Sequence, residues 1–353
     1  MSDKASTEHA VNDGFALGMF SAANCAPFAG LVIEDRTVAL NALVIVGARK
    51  NLPLVGTERL SDLLQDWERN CASLQALYSF LKEDPEGQAW WSEKSAPISG
   101  LHTHAPIDRP RQIFCAGANY RKHVIELIID QPSPVMEGLS LEDRRIQGAK
   151  IMDDRAKTGT PYFFSKVQSA IGGPFDPIVL QSDALQPDWE LELAVVIGKH
   201  ARHVSVEQAL DYVAGYTVVN DITNRDKIYR RDMKAIGSDW LASKSAPGYL
   251  PTGPYLVPAE FVGDPQKLHI KLCLNGVAMQ DEGTDDMIFS VARLISDLSS
   301  LVELWPGDLL ATGSPSGNGT HYQRFLKEGD VMEGSISRIG TQRTPCVISQ
   351  RTE

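Results

Sequence analysis

The stretch Asp188-Trp189-Glu190-Leu191-Glu192-Leu193-Ala194-Val195-Val196-Ile197-Gly198 decides how the chain is read. Side chains two apart on a strand share a face, so Glu190 and Glu192 project together while Leu191 and Leu193 point the other way. The continuation from Ala194 to Ile197 is apolar without interruption, as in a strand covered on both faces. Two carboxylates side by side at the edge of such a strand repel each other and resist losing water, and a cation relieves both costs. The polar half of the strand facing water is the competing explanation. The segment alone leaves both open.

Downstream, Gly215 to Asp221 reads as a second strand that ends in an acid, followed at once by Thr223, Asn224, Arg225 and Asp226. If Asp221 closes on Glu190 and Glu192, the three supply hard oxygen ligands, a set suited to Mg²⁺ or Mn²⁺ rather than zinc, with Ca²⁺ a third candidate. Upstream lies Gly117-Ala118-Asn119-Tyr120-Arg121-Lys122-His123-Val124-Ile125-Glu126. If the chain turns helical after Asn119, His123 and Glu126 sit at i and i+3 and can touch. A carboxylate beside an imidazole orients it and raises its basicity, which a water-activating base requires. A surface ion pair is the alternative, with Glu126 equally able to reach Lys122.

Beyond these segments, Gln112–Ala116, Tyr162–Lys166, Pro177–Leu180, Lys267–Leu274 and Asp308–Ala311 are β-branched or alternating runs separated by turn signals. One helix is expected over Phe289–Ser300. The strands do not alternate with helices, which argues against a doubly wound parallel sheet. The expected fold is α+β and strand-dominated, a mixed β-sandwich or rolled sheet. Residues 1–105 read as a smaller N-terminal α+β domain and residues 106–353 as the catalytic domain. In the former, Phe15–Phe20 and Gly30–Leu40 are β-prone, the latter turning at Glu34-Asp35. Apolar residues from Leu60 to Leu81 recur at helical spacing over Ser61–Lys82. The Pro-, Ser- and His-rich stretch around residues 95–112 reads as a linker, and His102 and His104 lack a third ligand nearby.

Composition narrows the function. Asp plus Glu outnumber Lys plus Arg by 45 to 34, a formal charge of -11, which argues against a nucleic-acid partner. No run approaches the twenty apolar residues of a membrane span. The five cysteines, Cys25, Cys71, Cys115, Cys273 and Cys346, are odd in number and widely spaced, as in a reducing compartment. The polar opening MSDKASTEHAVNDG lacks the apolar core of a signal peptide. A cytoplasmic protein is expected.

The ordered set of motifs resembles the catalytic domain of the fumarylacetoacetate hydrolase family. It comprises NYRKHVIE from Asn119, ELE from Glu190, NDITNRD from Asn220, KSAPGYLPTGP from Lys244 and ATGSPSG from Ala311. PYFFSK ending at Lys166, NGVAMQ from Asn275 and WPGD from Trp305 are also similar, and the likeness runs from about residue 110 to the end. The resemblance implies Glu190, Glu192 and Asp221 as metal carboxylates, His123 and Glu126 as base and orienting acid, and Lys244 as a stabiliser of developing negative charge. It further suggests Tyr120, Lys166, Arg225 and Ser314 as substrate-binding residues, a small diketo acid as substrate, and a homodimer. Members that cleave fumarylacetoacetate carry glutamine seven residues after the metal aspartate, where this chain has Ile228. The charged segment 127–160, with a helix-compatible run from about Ser140 to Ala156, reads as a lid. The implied chemistry is hydrolysis of a carbon–carbon bond beside a ketone. Decarboxylation of a β-keto acid and keto–enol isomerisation are alternatives on the same scaffold, and a non-catalytic binding protein a further one.

Overall fold

Alternating side chains along Leu191–Ile197 face two different cores, and the architecture follows from that. The computed structural model describes residues 14–130, 136, 138–230, 232–233, 235 and 237–348. The polar amino terminus, and Pro132 and Pro134 of the expected lid, lie outside these residues. Leu191–Ile197 pairs antiparallel with Val213–Asn220 on one side and Leu309–Ala311 on the other. The full six-stranded sheet runs Val257–Pro258, Val213–Asn220, Leu191–Ile197, Leu309–Ala311, Ile113–Gly117, Tyr162–Ser165. Its single parallel pairing joins Leu309–Ala311 to Ile113–Gly117.

Leu191, Leu193, Val195 and Ile197 share a core with Ile270, Leu272, Met332 and Ile336 of a second, five-stranded sheet. That sheet is ordered Val277–Gly283, His269–Leu274, Val331–Ile336, Gly340–Ile348, Ile178–Leu180. Ala194 and Val196 turn the opposite way. They join a second core with Leu60, Leu63, Leu64, Trp67, Leu74 and Leu77 of the first hundred residues. Each fully buried leucine contributes about 2 kcal/mol relative to exposure. The strand is therefore covered on both faces, and the mixed α+β, strand-rich fold is as expected.

In the first hundred residues the hairpin forms where expected, with Glu34 in the left-handed region at φ 58°. The helical stripe is interrupted, because a 3₁₀ turn over Leu64–Asp66 separates a short helix from Trp67–Glu83. The expected linker is instead part of a sheet. Ala96–Pro97 pairs with Arg36–Ala39, and His102–His104 pairs with Ala16–Ser21, each at an edge. Pro97 is tolerated there because an edge strand leaves one row of backbone donors unpaired. His104 Nε2 meets Ser21 Oγ at 2.8 Å and His102 Nε2 lies 3.6 Å from Asp176, so neither histidine belongs to a metal cluster among the described residues.

The segment read as a lid contains the helix Leu141–Thr158, capped by Ser140. It lies along the helix Arg121–Asp130, with Gly148 over Ile125 and Arg121 paired to Asp153 at 2.9 Å. Among the described residues no helix is long and apolar enough to cross a membrane, and all five cysteines are free.

Asn119 ties three backbone segments together. Its amide donates to the carbonyls of Phe289 (3.1 Å) and Thr312 (2.8 Å), and its carbonyl accepts from the Phe289 N–H at 2.9 Å. Removing it leaves buried backbone groups unpaired. Asn119→Ala should therefore lower stability by about 3 kcal/mol in urea unfolding, and a change inside error would show that water replaces the amide without loss.

Candidate metal centre

Register brings the acids together. Leu191 faces Asn220 across the ladder, and the Asp221 N–H donates to the Glu190 carbonyl at 2.8 Å. One carboxylate oxygen each from Glu190, Glu192 and Asp221 lies within 4.8 Å of the others, all three residues are buried, and no other such cluster occurs among the described residues. Three cations close around them. Lys244 Nζ donates to Glu190 Oε2 and Asp221 Oδ2, both at 2.5 Å. Lys166 Nζ donates to Asp221 Oδ1 at 2.5 Å and to the carbonyls of Ile222 and Tyr249. Arg225 spans Asp188 at 2.8 Å and Glu190 at 2.5 Å.

Glu192 is treated differently. Its one hydrogen-bond donor among the described contacts is the Gly313 N–H at 2.7 Å. That amide points inward because Gly313 adopts φ +100°, where a Cβ would lie 2.9 Å from Asn119 Cβ. Burial, then the charges of Asp221 and Glu190, push the Glu192 carboxyl well above the usual range. Burial would also raise Glu190, but Arg225 and Lys244 override it and hold that carboxyl well below. Burial alone would lower Lys244, yet Asp221 and Glu190 raise it, so it stays charged. Lys166 is lowered, burial outweighing Asp221. Asp188, Glu190, Glu192 and Asp221 thus face Lys166, Lys244 and Arg225, four acids against three bases. A buried all-oxygen cluster in which one carboxyl, Glu192, is paired to no basic side chain among the described residues and otherwise holds a proton fits a hard divalent cation.

The helix Arg121–Asp130 carries His123, the residue read as the base. Burial pushes the His123 imidazole down to about 4, against the pull of Glu190. Glu126 Oε2 lies 3.5 Å from His321 Nδ1, a partner outside the expectations. Lys122, the competing partner for Glu126, goes instead to Glu282 at 2.6 Å. Tyr120 is fully buried and its hydroxyl has no hydrogen-bond partner among the described residues. Burial, then Glu192, raise that phenol, so it remains a donor. The Ser314 hydroxyl is occupied, accepting from Gln280 Nε2 at 2.8 Å.

Sequence reasoning missed Asp188, Gln280 and His321. Asp188 had a signal, since it shares the parity of Glu190 and Glu192. It accepts from the Trp189 and Gly319 backbone N–H groups. Gln280, within NGVAMQ, accepts from the Leu191 N–H at 3.1 Å and so fixes the strand that bears the acids.

A strand-built cluster of oxygen ligands ringed by lysines, beside a neutral buried imidazole, is the kind of centre found in metal-dependent enzymes. The pattern described as Fumarylacetoacetate (FAA) hydrolase C-terminal matches residues 112–347, and the chain belongs to this family. A 2,4-didehydro-3-deoxy-L-rhamnonate hydrolase of Sphingomonas sp. (strain SKA58) is 42% identical over 241 residues, spanning 67% of this chain and 74% of the relative. A mitochondrial oxaloacetate tautomerase of Homo sapiens is 35% identical over 246 residues, 69% of each chain. In fold, the chain is similar to maleylpyruvate hydrolase from Sphingobium sp. SYK-6, solved with manganese (II) ion and pyruvate. The TM-score is 0.66 at 24% identity, covering 95% of this chain and 100% of that one.

The His123 value gives a direct test. An imidazole whose folded pKa is lowered from 6.5 favours the folded state above 6.5, and that contribution is lost as pH falls through about 4. The ring-proton resonance that disappears in His123→Ala should titrate near pH 4 in the wild-type protein. A midpoint near 6.5 would contradict the burial argument.

Proposed function

We propose that the chain is a divalent-metal-dependent hydrolase that cleaves the carbon–carbon bond of an acylpyruvate-type 1,3-diketo acid. The observation that carries this reading is a buried imidazole, held neutral by burial, set on a helix beside a buried cluster of three acids whose member Glu192 is paired to no basic side chain among the described residues. A divalent cation held by Glu190, Glu192 and Asp221 would supply Lewis-acid chemistry at the α-keto oxygen.

The protein's own groups do the rest. His123 takes a proton from water, and the oxygen of that water bonds to the distal carbonyl carbon. The carbon–carbon bond breaks, its electron pair passing to the leaving enolate, and the proton is returned to that enolate's carbon. Lys244, kept charged by its two carboxylates beside the metal-ligand candidates, stabilises the negative charge that develops in this reading. The Tyr120 hydroxyl is available to donate to a substrate oxygen. Lys166 and Arg225, committed to carboxylates as Lys244 is, hold Asp221 and Glu190 in place.

A second reading is keto–enol tautomerisation, favoured by the oxaloacetate tautomerases among the relatives at 35–36% identity. It uses the same enolate without the attacking water. The two separate on one variant. With acetylpyruvate and Mn²⁺, His123→Ala should lose cleavage by about a hundredfold, while oxaloacetate tautomerisation should fall far less. Equal losses would remove water activation from His123, and no wild-type cleavage would favour the tautomerase. Exhaustive chelation should abolish both reactions and Mg²⁺ or Mn²⁺ restore them. Turnover that survives chelation would sink the metal assignment.

A further inference from the structure

The loop after Ser314 ends in a four-residue helix, Gly319–Tyr322, that touches two parts of the site at once. At its start, the Gly319 N–H donates to Asp188 Oδ1 at 2.5 Å, and the Thr320 N–H and hydroxyl donate to Asp188 Oδ2 at 3.1 and 2.9 Å. The approach is close enough that a Cβ on Gly319 would lie 2.7 Å from that carboxylate. Asp188 also receives Arg225, which reaches on to Glu190. The helix is thereby fastened to the support of a metal-ligand candidate.

One residue further on, His321 faces Glu126, with Nδ1 3.5 Å from Oε2. Its backbone is set by the Asn318 side chain, which accepts the His321 N–H at 3.2 Å. Its ring meets Tyr322 edge-to-face at 4.7 Å, and the Tyr322 hydroxyl is anchored on the Met279 carbonyl at 3.0 Å. The ring thus packs against an anchored tyrosine, and the backbone that carries it is fixed by Asn318. The Glu126 oxygen that faces it is shut off from solvent. Both side chains are otherwise about a third exposed, so the pair contributes little to stability. What such a contact can do is fix an orientation.

We propose that His321 is a positioning residue. It sets the Glu126 carboxylate, through which His123 is oriented, and references that pair to the metal carboxylates by way of Asp188. The proposal rests on reading His123 and Glu126 as the water-activating pair.

The test uses the full chain with Mn²⁺ and acetylpyruvate. His321→Ala should lower kcat for cleavage about tenfold, the usual cost of removing a group that orients a working side chain. KM and half-saturation by Mn²⁺ should stay within about twofold. His321→Asn, whose amide nitrogen can take the place of Nδ1, should recover most of the loss. In a Glu126→Gln background His321→Ala should cost nothing more, because its route of action is already cut. An additive loss there, an unchanged kcat in His321→Ala, or no recovery in His321→Asn would overturn the proposal. A crystal structure of His321→Ala with Mn²⁺ decides the point independently of turnover. A displaced Glu126 carboxylate supports the role and an unmoved one refutes it. Absence of cleavage by the wild-type protein would overturn the hydrolase reading alone, and that structure would still judge His321.

Discussion

The constraint on which the rest depends is the burial of four carboxylates within reach of only three basic side chains. Charge removed from water must be matched nearby or abandoned by protonation. Lys166, Lys244 and Arg225 match three of the four, each sitting on at least one carboxylate at hydrogen-bond distance. Glu192, whose described donor is a backbone amide, is left to hold a proton or meet a cation. That residual demand separates a cation-binding centre from an internally satisfied salt-bridge network. The same three bases also pre-form the centre, since they hold Glu190 and Asp221 in place before any ligand arrives.

Much of this was legible because it is local. Strand parity placed Glu190 and Glu192 on one face, and an acid ending the next strand placed Asp221 beside them. The i, i+3 spacing put His123 and Glu126 on one side of a helix. What was not legible depends on closure of the fold. Nothing near Glu126 in sequence points to His321, and Lys122 looked an equally good neighbour until Glu282 took it. The substrate-binding roles of Lys166 and Arg225 came from motif order, whereas their geometry shows both engaged with carboxylates.

Local composition misled in one place. The Pro- and His-rich run near residue 100 looked like a connector, but it lies along two edges of the N-terminal sheet. Tertiary cover there outweighed composition.

The two-sided burial of Leu191–Ile197 has an architectural consequence. The side chains that continue the acid-bearing face, Ala194 and Val196, are covered by helices from the first hundred residues, together with Ile113, Leu309 and Ala311 from neighbouring strands. A chain trimmed to the family-matched span 112–347 would lay that apolar face open to water. The N-terminal layer thus acts as a foundation slab for the strand that carries the acids. The span that sequence likeness marks out is smaller than the unit that has to fold.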